Sequence, residues 1–350
     1  MDIGSILKDE LTLAEKAVTI PRNPEADFPL LSAKIKLTWR CNLKCRMCNL
    51  WRESYQMRQG GIGFETAKKL IVSLKQLGTR KVHFSGGEVF LLPYFTDLVS
   101  FARYNEMQVN ITTNGTLITK ETARILVDER VHTVIVSIDS HDKKEHDSIR
   151  GKKGAFKSAW EGIQLLQKRK EVKGRGPKIA VNTVVTRKTI ESMDALYDLL
   201  CAKGVDSWRL LPVDSELKKI RPTEEQWHVL LEKLGEWDHI LARMPLDWSS
   251  DRSGLRAAGG KFAGVFYGEN ICFAPWFNIF INADGNVYPC CMGKQDMLPY
   301  GNINNETLEM ILSGSTRRDI CCSMASGHIY PACECCDDFL EENRAFNALL

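Results

Sequence analysis

The side chains with the most chemistry in this chain are cysteines, and three of them fall within one octapeptide. Cys41-Asn42-Leu43-Lys44-Cys45-Arg46-Met47-Cys48 spaces them as CxxxCxxC. Three thiolates on one loop can each take one iron of a 4Fe–4S cubane, leaving the fourth iron open to another molecule. A structural zinc ion asks for four ligands, yet the nearest histidine is His83 and no further cysteine comes before Cys201. Inert core thiols fit worse, because Asn42, Lys44 and Arg46 are interleaved with them. The spacing points to a cluster with an open iron. Towards the other end stand Cys272, Cys290, Cys291, Cys321, Cys322, Cys333, Cys335 and Cys336. Cys272 and Cys290 flank Asn282-Ala283-Asp284-Gly285, whose Asp-Gly between apolar runs signals a hairpin. Cys333-Glu334-Cys335-Cys336 closes as a CxxC. Two ligands around a hairpin and two on a later tight loop can converge on one tetrahedral or cubane site. A zinc ribbon, built from two CxxC knuckles, is the alternative, and only the second half here has that form.

The first motif resembles that of the radical SAM superfamily, in which the open iron binds the amino and carboxylate groups of S-adenosylmethionine (SAM). Ser85-Gly86-Gly87-Glu88, at the end of the second expected strand, looks like that family's GGE motif. The resemblance implies that Gly86, Gly87 and Glu88 meet the methionine amino group. Glycine admits close backbone approach, and an acid suits an ammonium. Asn114, in Thr113-Asn114-Gly115, ends the third strand in the family manner. Ser137 and Asp139 end the fourth, where family members contact the SAM ribose or carboxylate. Arg150, in His146-Asp147-Ser148-Ile149-Arg150-Gly151, resembles an arginine that pairs with the SAM carboxylate, and Asn182 lies on the strand that passes the adenine. Met47 stands where the family usually has an aromatic residue, and its main chain would still reach the adenine. This likeness covers about Ala33 to Leu211. It implies that an electron enters the cluster, the S–C5′ bond of SAM breaks, and a 5′-deoxyadenosyl radical abstracts a substrate hydrogen.

The C-terminal pattern resembles the SPASM or shorter twitch extension of radical SAM enzymes. Gly285-Asn286-Val287-Tyr288-Pro289-Cys290-Cys291, Gly301-Asn302-Ile303 and Arg317-Arg318 look like that module. The resemblance implies Cys272, Cys290, Cys333 and Cys336 as the ligands of one auxiliary 4Fe–4S cluster. Cys291, Cys321, Cys322 and Cys335 keep no assigned role. Cys321 and Cys322 would be the extra ligands of a second auxiliary cluster.

The elements that must position these residues follow from periodicity. Strands are expected at Ala33–Thr38, Lys81–Ser85, Val109–Thr113, Thr133–Ile138, Lys178–Val185 and Ser207–Leu211. Helices are expected between them at Phe64–Leu77, Tyr94–Tyr104, Thr119–Asp128, Ala155–Lys170 and Ile190–Ala202. Strands alternating with helices read as βα units and a parallel sheet, with chemistry at the strands' C-terminal ends. With the resemblance, the expected fold class is α/β, a partial (βα)6 radical SAM barrel with a small C-terminal SPASM/twitch cluster-binding domain. The expected divisions are a lead-in over 1–32, the barrel over 33–212, a helical and loop linker over 213–270 and the cluster domain over 271–350.

The chain has 350 residues, 44% hydrophobic and 26% charged, which excludes a wholly disordered protein. Its 47 basic and 44 acidic residues leave a net charge of +3, too near neutrality to argue for nucleic acid or an anionic membrane surface. No signal peptide or spanning segment is legible, so a cytoplasmic, reducing compartment is expected, where clustered cysteines hold metal rather than form disulfides. An auxiliary cluster with four cysteine ligands suggests an electron acceptor, hence a radical SAM oxidoreductase whose substrate radical loses an electron to it. Asp214 and Glu216, just past the sixth strand, are candidates for the substrate base and Arg209 for a substrate anchor. The 32 residues before Ala33 look too few for a leader-peptide-binding domain, which favours a small-molecule substrate, with flavodoxin or ferredoxin as reducing partner. The alternatives are a radical SAM maturase acting on a peptide or protein side chain, and a non-catalytic zinc-held binding module.

Overall fold

The computed structural model describes residues 18–25, 28–48, 60–213, 218–240, 270–334, 336, 343 and 346–347. Six parallel strands form the first part of its sheet: β1 (Ser32–Lys36), β2 (Lys81–Ser85), β3 (Gln108–Thr113), β4 (Thr133–Ser137), β5 (Lys178–Val185) and β6 (Ser207–Pro212). Each alternates, because successive side chains of a strand point to opposite faces. Val82 and Phe84 of β2, Val109 and Ile111 of β3 and Val134 and Val136 of β4 are fully buried on one face. The helices between the strands are α1 (Phe64–Gln76), α2 (Phe95–Tyr104), α3 (Lys120–Asp128), α5 (Ala155–Lys173) and α6 (Met193–Ala202), while α4 (Lys143–Arg150) lies against the cysteine loop, the Arg46 N–H donating to the Ile149 carbonyl at 2.8 Å. Helix α1 shows the logic: Ala67, Leu70, Ile71 and Leu74 recur every three or four residues and are its buried stripe.

The expected strands and helices are all present with ends shifted by a few residues, and one helix is new. Helix α4 has no apolar periodicity in Lys-Lys-Glu-His-Asp-Ser-Ile-Arg; its caps make it. The Asp142 carboxylate accepts the Glu145 N–H at 2.7 Å, and Gly151 ends the helix at φ +67°. A side chain at Gly151 would also stand 2.4 Å from the Lys44 carbonyl oxygen. The glycine thus lets α4 end against the cysteine loop.

The C-terminal residues do not build a separate sheet. β7 (Asn278–Ile281) pairs parallel to β1, with Ser32 opposite Asn278, and the Ser32 hydroxyl donates to Asn278 Oδ1 at 2.7 Å. β8 (Asn286–Tyr288) and β9 (Gly301–Asn302) continue antiparallel, giving the order β6-β5-β4-β3-β2-β1-β7-β8-β9. The expected hairpin turn is there: Gly285 adopts φ +90°, and its N–H donates to the Asn282 carbonyl at 2.9 Å. Helix α7 (Glu224–Ile240) falls within the expected linker; α8 (Ala274–Phe277), α9 (Leu308–Leu312), α10 (Ser315–Ala325) and α11 (Pro331–Glu334) complete the cluster-binding region. Helix α10, which carries Cys321 and Cys322, was missed by the sequence reading, as were α8, α11 and β9. No helix among the described residues is long and apolar enough to cross a membrane. Most of the expected lead-in, residues 1–17, and residues 241–269 of the expected linker lie outside the described residues.

Candidate active site

Leaving β1, the chain runs through Thr38, Trp39 and Arg40 into the cysteine loop. The Gly87 N–H donates to the Thr38 carbonyl and the Glu88 N–H to the Arg40 carbonyl, both at 2.8 Å. A side chain on Gly87 would lie 2.2 Å from the Arg40 oxygen, and one on Gly86 2.7 Å from the Thr38 oxygen. The two glycines are therefore required by contact with the root of the loop. Glu88 is fully buried. Its Oε1 accepts the Thr113 hydroxyl at 2.8 Å and the Phe90 N–H at 3.1 Å, and its Oε2 accepts the Asn114 N–H at 2.8 Å. Burial raises its pKa against the pull of those three donors. In this arrangement the carboxylate clamps β2 to β3, and both its oxygens are engaged.

The three cysteines are each approached by polar hydrogens or packed against carbon. Cys41 Sγ accepts the Leu43 N–H at 3.4 Å and stands 3.9 Å from Asn114 Nδ2. Asn114 Nδ2 also donates to Asn42 Oδ1 at 2.8 Å, while Asn114 Oδ1 accepts the Thr116 hydroxyl at 2.7 Å. The loop is thus stitched to the end of β3, and Asn42 and Thr116 are partners that the sequence reading missed. Cys45 is buried with Leu43 and Ala155, and Cys48 and Met47 pack against the same group. Burial raises the thiol of Cys41 to about 11, opposed by the Leu43 N–H. Cys45 is raised by burial too, opposed by Arg150.

Arg150 stands behind Cys45, with Nη1 3.8 Å from Sγ. Its guanidinium is held by Asp139 on two sides, Nη2 to Oδ1 at 2.8 Å and Nε to Oδ2 at 2.6 Å, and Asp139 is completely buried. The Asp139 carboxylate also accepts the Val184 N–H at 3.1 Å, and its own N–H donates to His146 Nδ1 at 3.2 Å. Two residues assigned separate SAM contacts are therefore each other's partners. His146, buried between them and Phe156, has its pKa pulled down to about 4 by burial. Register brings three further residues into one row: Ser137 is opposite Asn182, and Asn182 opposite Arg209. Their neighbours Val136, Val181 and Trp208 are buried on the helix side, so the row faces the inside of the barrel. Asn182 Oδ1 is buried without a hydrogen-bond partner, which fits a bound group that brings a donor. Asp214 and Glu216 lie outside the described residues.

In the C-terminal region, Cys272 precedes α8, and Asn343 Nδ2 donates to its sulfur at 3.5 Å while Asn343 Oδ1 accepts the Phe273 N–H at 2.7 Å. Cys290 follows β8, where the Pro289 carbonyl accepts from Asn278 Nδ2 at 2.9 Å. Cys333 and Cys336 are buried on a tight turn closed by the Cys336 N–H on the Cys333 carbonyl at 3.2 Å. Burial, then the nearby Cys272 sulfur, pushes the Cys333 thiol up to about 12. Cys321 is buried on α10 and its neighbour Cys322 is exposed. Consecutive helical residues point about 100° apart, so the two thiols face different surroundings. Cys291 stands 3.5 Å from Lys34 Nζ of β1. Cys335 lies outside the described residues. None of the eleven described cysteines is joined in a disulfide. Among the described residues no group of three or more His, Cys, Asp or Glu side chains stands close enough to hold a single metal ion. What recommends both cysteine sets as cluster ligands is their soft donors, their place on loops at strand ends, and the N–H groups aimed at their sulfurs.

Comparison with known proteins bears on both regions. The family profile of the radical SAM superfamily matches residues 35–200, and that of the SPASM iron–sulfur cluster-binding domain matches 272–337. Among curated relatives, the antilisterial bacteriocin subtilosin biosynthesis protein AlbA of Bacillus subtilis is 27% identical over 306 residues, 84% of this chain and 62% of that protein. The Fe-coproporphyrin III synthase of Methanosarcina barkeri is 32% identical over 164 residues, 47% of this chain and 39% of that one. The mycofactocin maturase MftC of Mycolicibacterium smegmatis is 29% identical over 293 residues, 81% of this chain and 71% of that one. Two of these three alignments thus span less than two thirds of the relative. Among solved structures, Streptococcus suis SuiB bound to S-adenosylmethionine superposes with a TM-score of 0.67 at 18% identity, covering 92% of this chain and 75% of that one. That likeness is one of fold.

Proposed function

The chain is a radical SAM superfamily enzyme with a C-terminal SPASM iron–sulfur cluster-binding domain, and from that premise we propose that it modifies a side chain of a peptide or protein. The observation that carries this reading is the extent of the similarity. Likeness to AlbA and MftC extends over 84% and 81% of the chain at 27% and 29% identity, ahead of the 73% at 25% identity reached by an AdoMet-dependent heme synthase of Methanosarcina barkeri and the 47% of the Fe-coproporphyrin III synthase. The small molecule expected from the sequence is the weaker reading. It rested on the shortness of the N-terminal segment, and similarity to a maturase outweighs that.

When bound, the cluster and SAM supply a 5′-deoxyadenosyl radical that removes a hydrogen atom from the substrate. The chain's own residues prepare the place for that chemistry. The Leu43 N–H and Asn114 orient Cys41, while the Asp139–Arg150 pair backs Cys45 with positive charge. Gly86 and Gly87 let the second strand close on the loop. Ser137, Asn182 and Arg209 give the barrel's inner wall one polar row on which SAM and a substrate backbone can both find partners. We propose Cys272, Cys290, Cys333 and Cys336 as the auxiliary ligands, and net oxidation of the side chain as the outcome.

The test is 5′-deoxyadenosine formation by anaerobically reconstituted protein with SAM and reductant, in the presence of synthetic peptides encoded by short reading frames beside its gene. One such peptide should raise the yield well above the uncoupled background and change in mass. Stimulation by coproporphyrin and by no peptide would sink the proposal and favour a tetrapyrrole substrate.

A further inference from the structure

Behind the C-terminal cysteines lie two polar groups that the protein leaves without partners. Tyr300 is 5% exposed, and its hydroxyl is fully buried with no hydrogen-bond partner. Arg317 donates from Nη1 to the Leu312 carbonyl at 3.3 Å, but its Nε is buried and unpartnered. Orphaned buried donors are uncommon enough in folded proteins that each asks for an acceptor not supplied by the chain.

Their position says where that acceptor sits. β8 and β9 pair with Asn286 opposite Asn302 and Val287 opposite Gly301. The same register sets Tyr300 across from Tyr288, two residues before Cys290, and the Tyr300 N–H donates to the Val287 carbonyl at 2.7 Å. Arg317 and Cys321 lie one turn apart on α10. Cys321 Sγ is 3.9 Å from the Pro275 carbonyl, on the turn that follows Cys272. Tyr300, just before β9, thus shares a sheet face with Tyr288 and Cys290, and Arg317 shares with Cys321 the α10 face that meets the turn after Cys272.

We propose that Tyr300 and Arg317 donate hydrogen bonds to sulfurs of the cluster held by the C-terminal cysteines and thereby set its reduction potential. The inference rests on Cys272 and Cys290 being ligands of that cluster. Hydrogen bonds to cluster and thiolate sulfur favour the more negative, reduced state and so raise the potential. The two residues act through the cluster as positioning residues. They tune how readily it accepts an electron from the substrate side.

The experiment uses the full chain with both clusters reconstituted and an EPR-monitored redox titration. Tyr300→Phe should keep its iron and sulfide and shift the auxiliary midpoint downward. At the wild-type midpoint the ratio of reduced to oxidised cluster should fall about tenfold, which is 59 mV for one electron. Arg317→Gln should shift it in the same direction. Inserting 3-fluorotyrosine at position 300, a stronger donor of the same shape, should raise it, which guards against a phenylalanine variant that merely packs poorly. Full iron with an unmoved midpoint in Tyr300→Phe and the fluorinated protein overturns the inference. Cys290→Ala is the separate control: if it keeps all the iron, the ligand assignment fails, whatever Tyr300 does.

Discussion

Asp139→Asn tests the site's least exposed charge pair. The side chain keeps its shape, but the Arg150 guanidinium loses the carboxylate that the structure sets against it, while Nε and Nη2 stay 2.6 and 2.8 Å from the position Asp139 held. The carboxylate is 0% exposed and Arg150 8%, so water cannot replace the lost charge. Breaking a buried pair from one side costs about 3–5 kcal/mol. The loss of one acceptor for the Val184 N–H is smaller, because the asparagine oxygen can take it. Removing both charges is far milder: Asp139→Asn with Arg150→Met leaves no orphaned cation, and a buried pair replaced by apolar groups is often near neutral. The coupling between the two substitutions should therefore be at least about 2 kcal/mol. Denaturant unfolding of the metal-free, reduced protein, followed by tryptophan fluorescence, reads this directly. Since Arg150 also backs Cys45, iron retained after desalting should fall in the single variant. Strictly additive effects would refute the reasoning, because they would mean that Asp139 and Arg150 stabilise the chain independently.

Other outcomes follow from the same geometry. Gly87→Ala puts a methyl 2.2 Å from the Arg40 oxygen, so reconstituted protein should lose about four of roughly eight irons while the C-terminal cluster stays; loss of all iron would contradict the separateness of the two sites. Alanine at Cys333 should remove the complementary four and leave the SAM-induced EPR change intact. His146 supplies the clearest pH dependence. Its pKa falls from 6.5 unfolded to about 4 folded, so between those values the unfolded chain binds more protons and stability drops as pH falls. The loss reaches about 3 kcal/mol by pH 4, at about 1.4 kcal/mol per unit. His146→Gln should flatten that slope between pH 6.5 and 4 in an acid-unfolding series, and an unchanged slope would rule the residue out as its source.

Much of this site was legible because its signals are local. CxxxCxxC is one loop, Gly86-Gly87-Glu88 stands at a strand end that alternation locates, and Asp284-Gly285 dictates its hairpin through the positive φ that glycine accepts. Helix α4 was hidden because caps, and not an apolar stripe, define it; the signal was Asp142 at its start and Gly151 at its end. Other features depend on residues far apart in sequence, and no local pattern encodes them. Asp139 and Arg150 each looked like a contact for a ligand, and only the packing of α4 against β4 and β5 makes them partners. Glu88 read as an acid set to meet an ammonium, and tertiary structure engages both its oxygens with Thr113, Phe90 and Asn114. The C-terminal region read as a cluster-binding domain, and only the tertiary structure shows that β7 extends the barrel's sheet beside β1, with Asn278 on Ser32, 246 residues away. Nothing in the periodicity of either strand specifies its partner, because a buried edge of β1 is satisfied by any strand of matching register. The sequence determined which chemistry the chain carries, since that lies in residue types and short spacings. Tertiary structure decided which polar groups hold one another and which, like Tyr300 and Asn182, are left buried for something else to meet. That choice is made by desolvation and reach in three dimensions, and it has no counterpart along the chain.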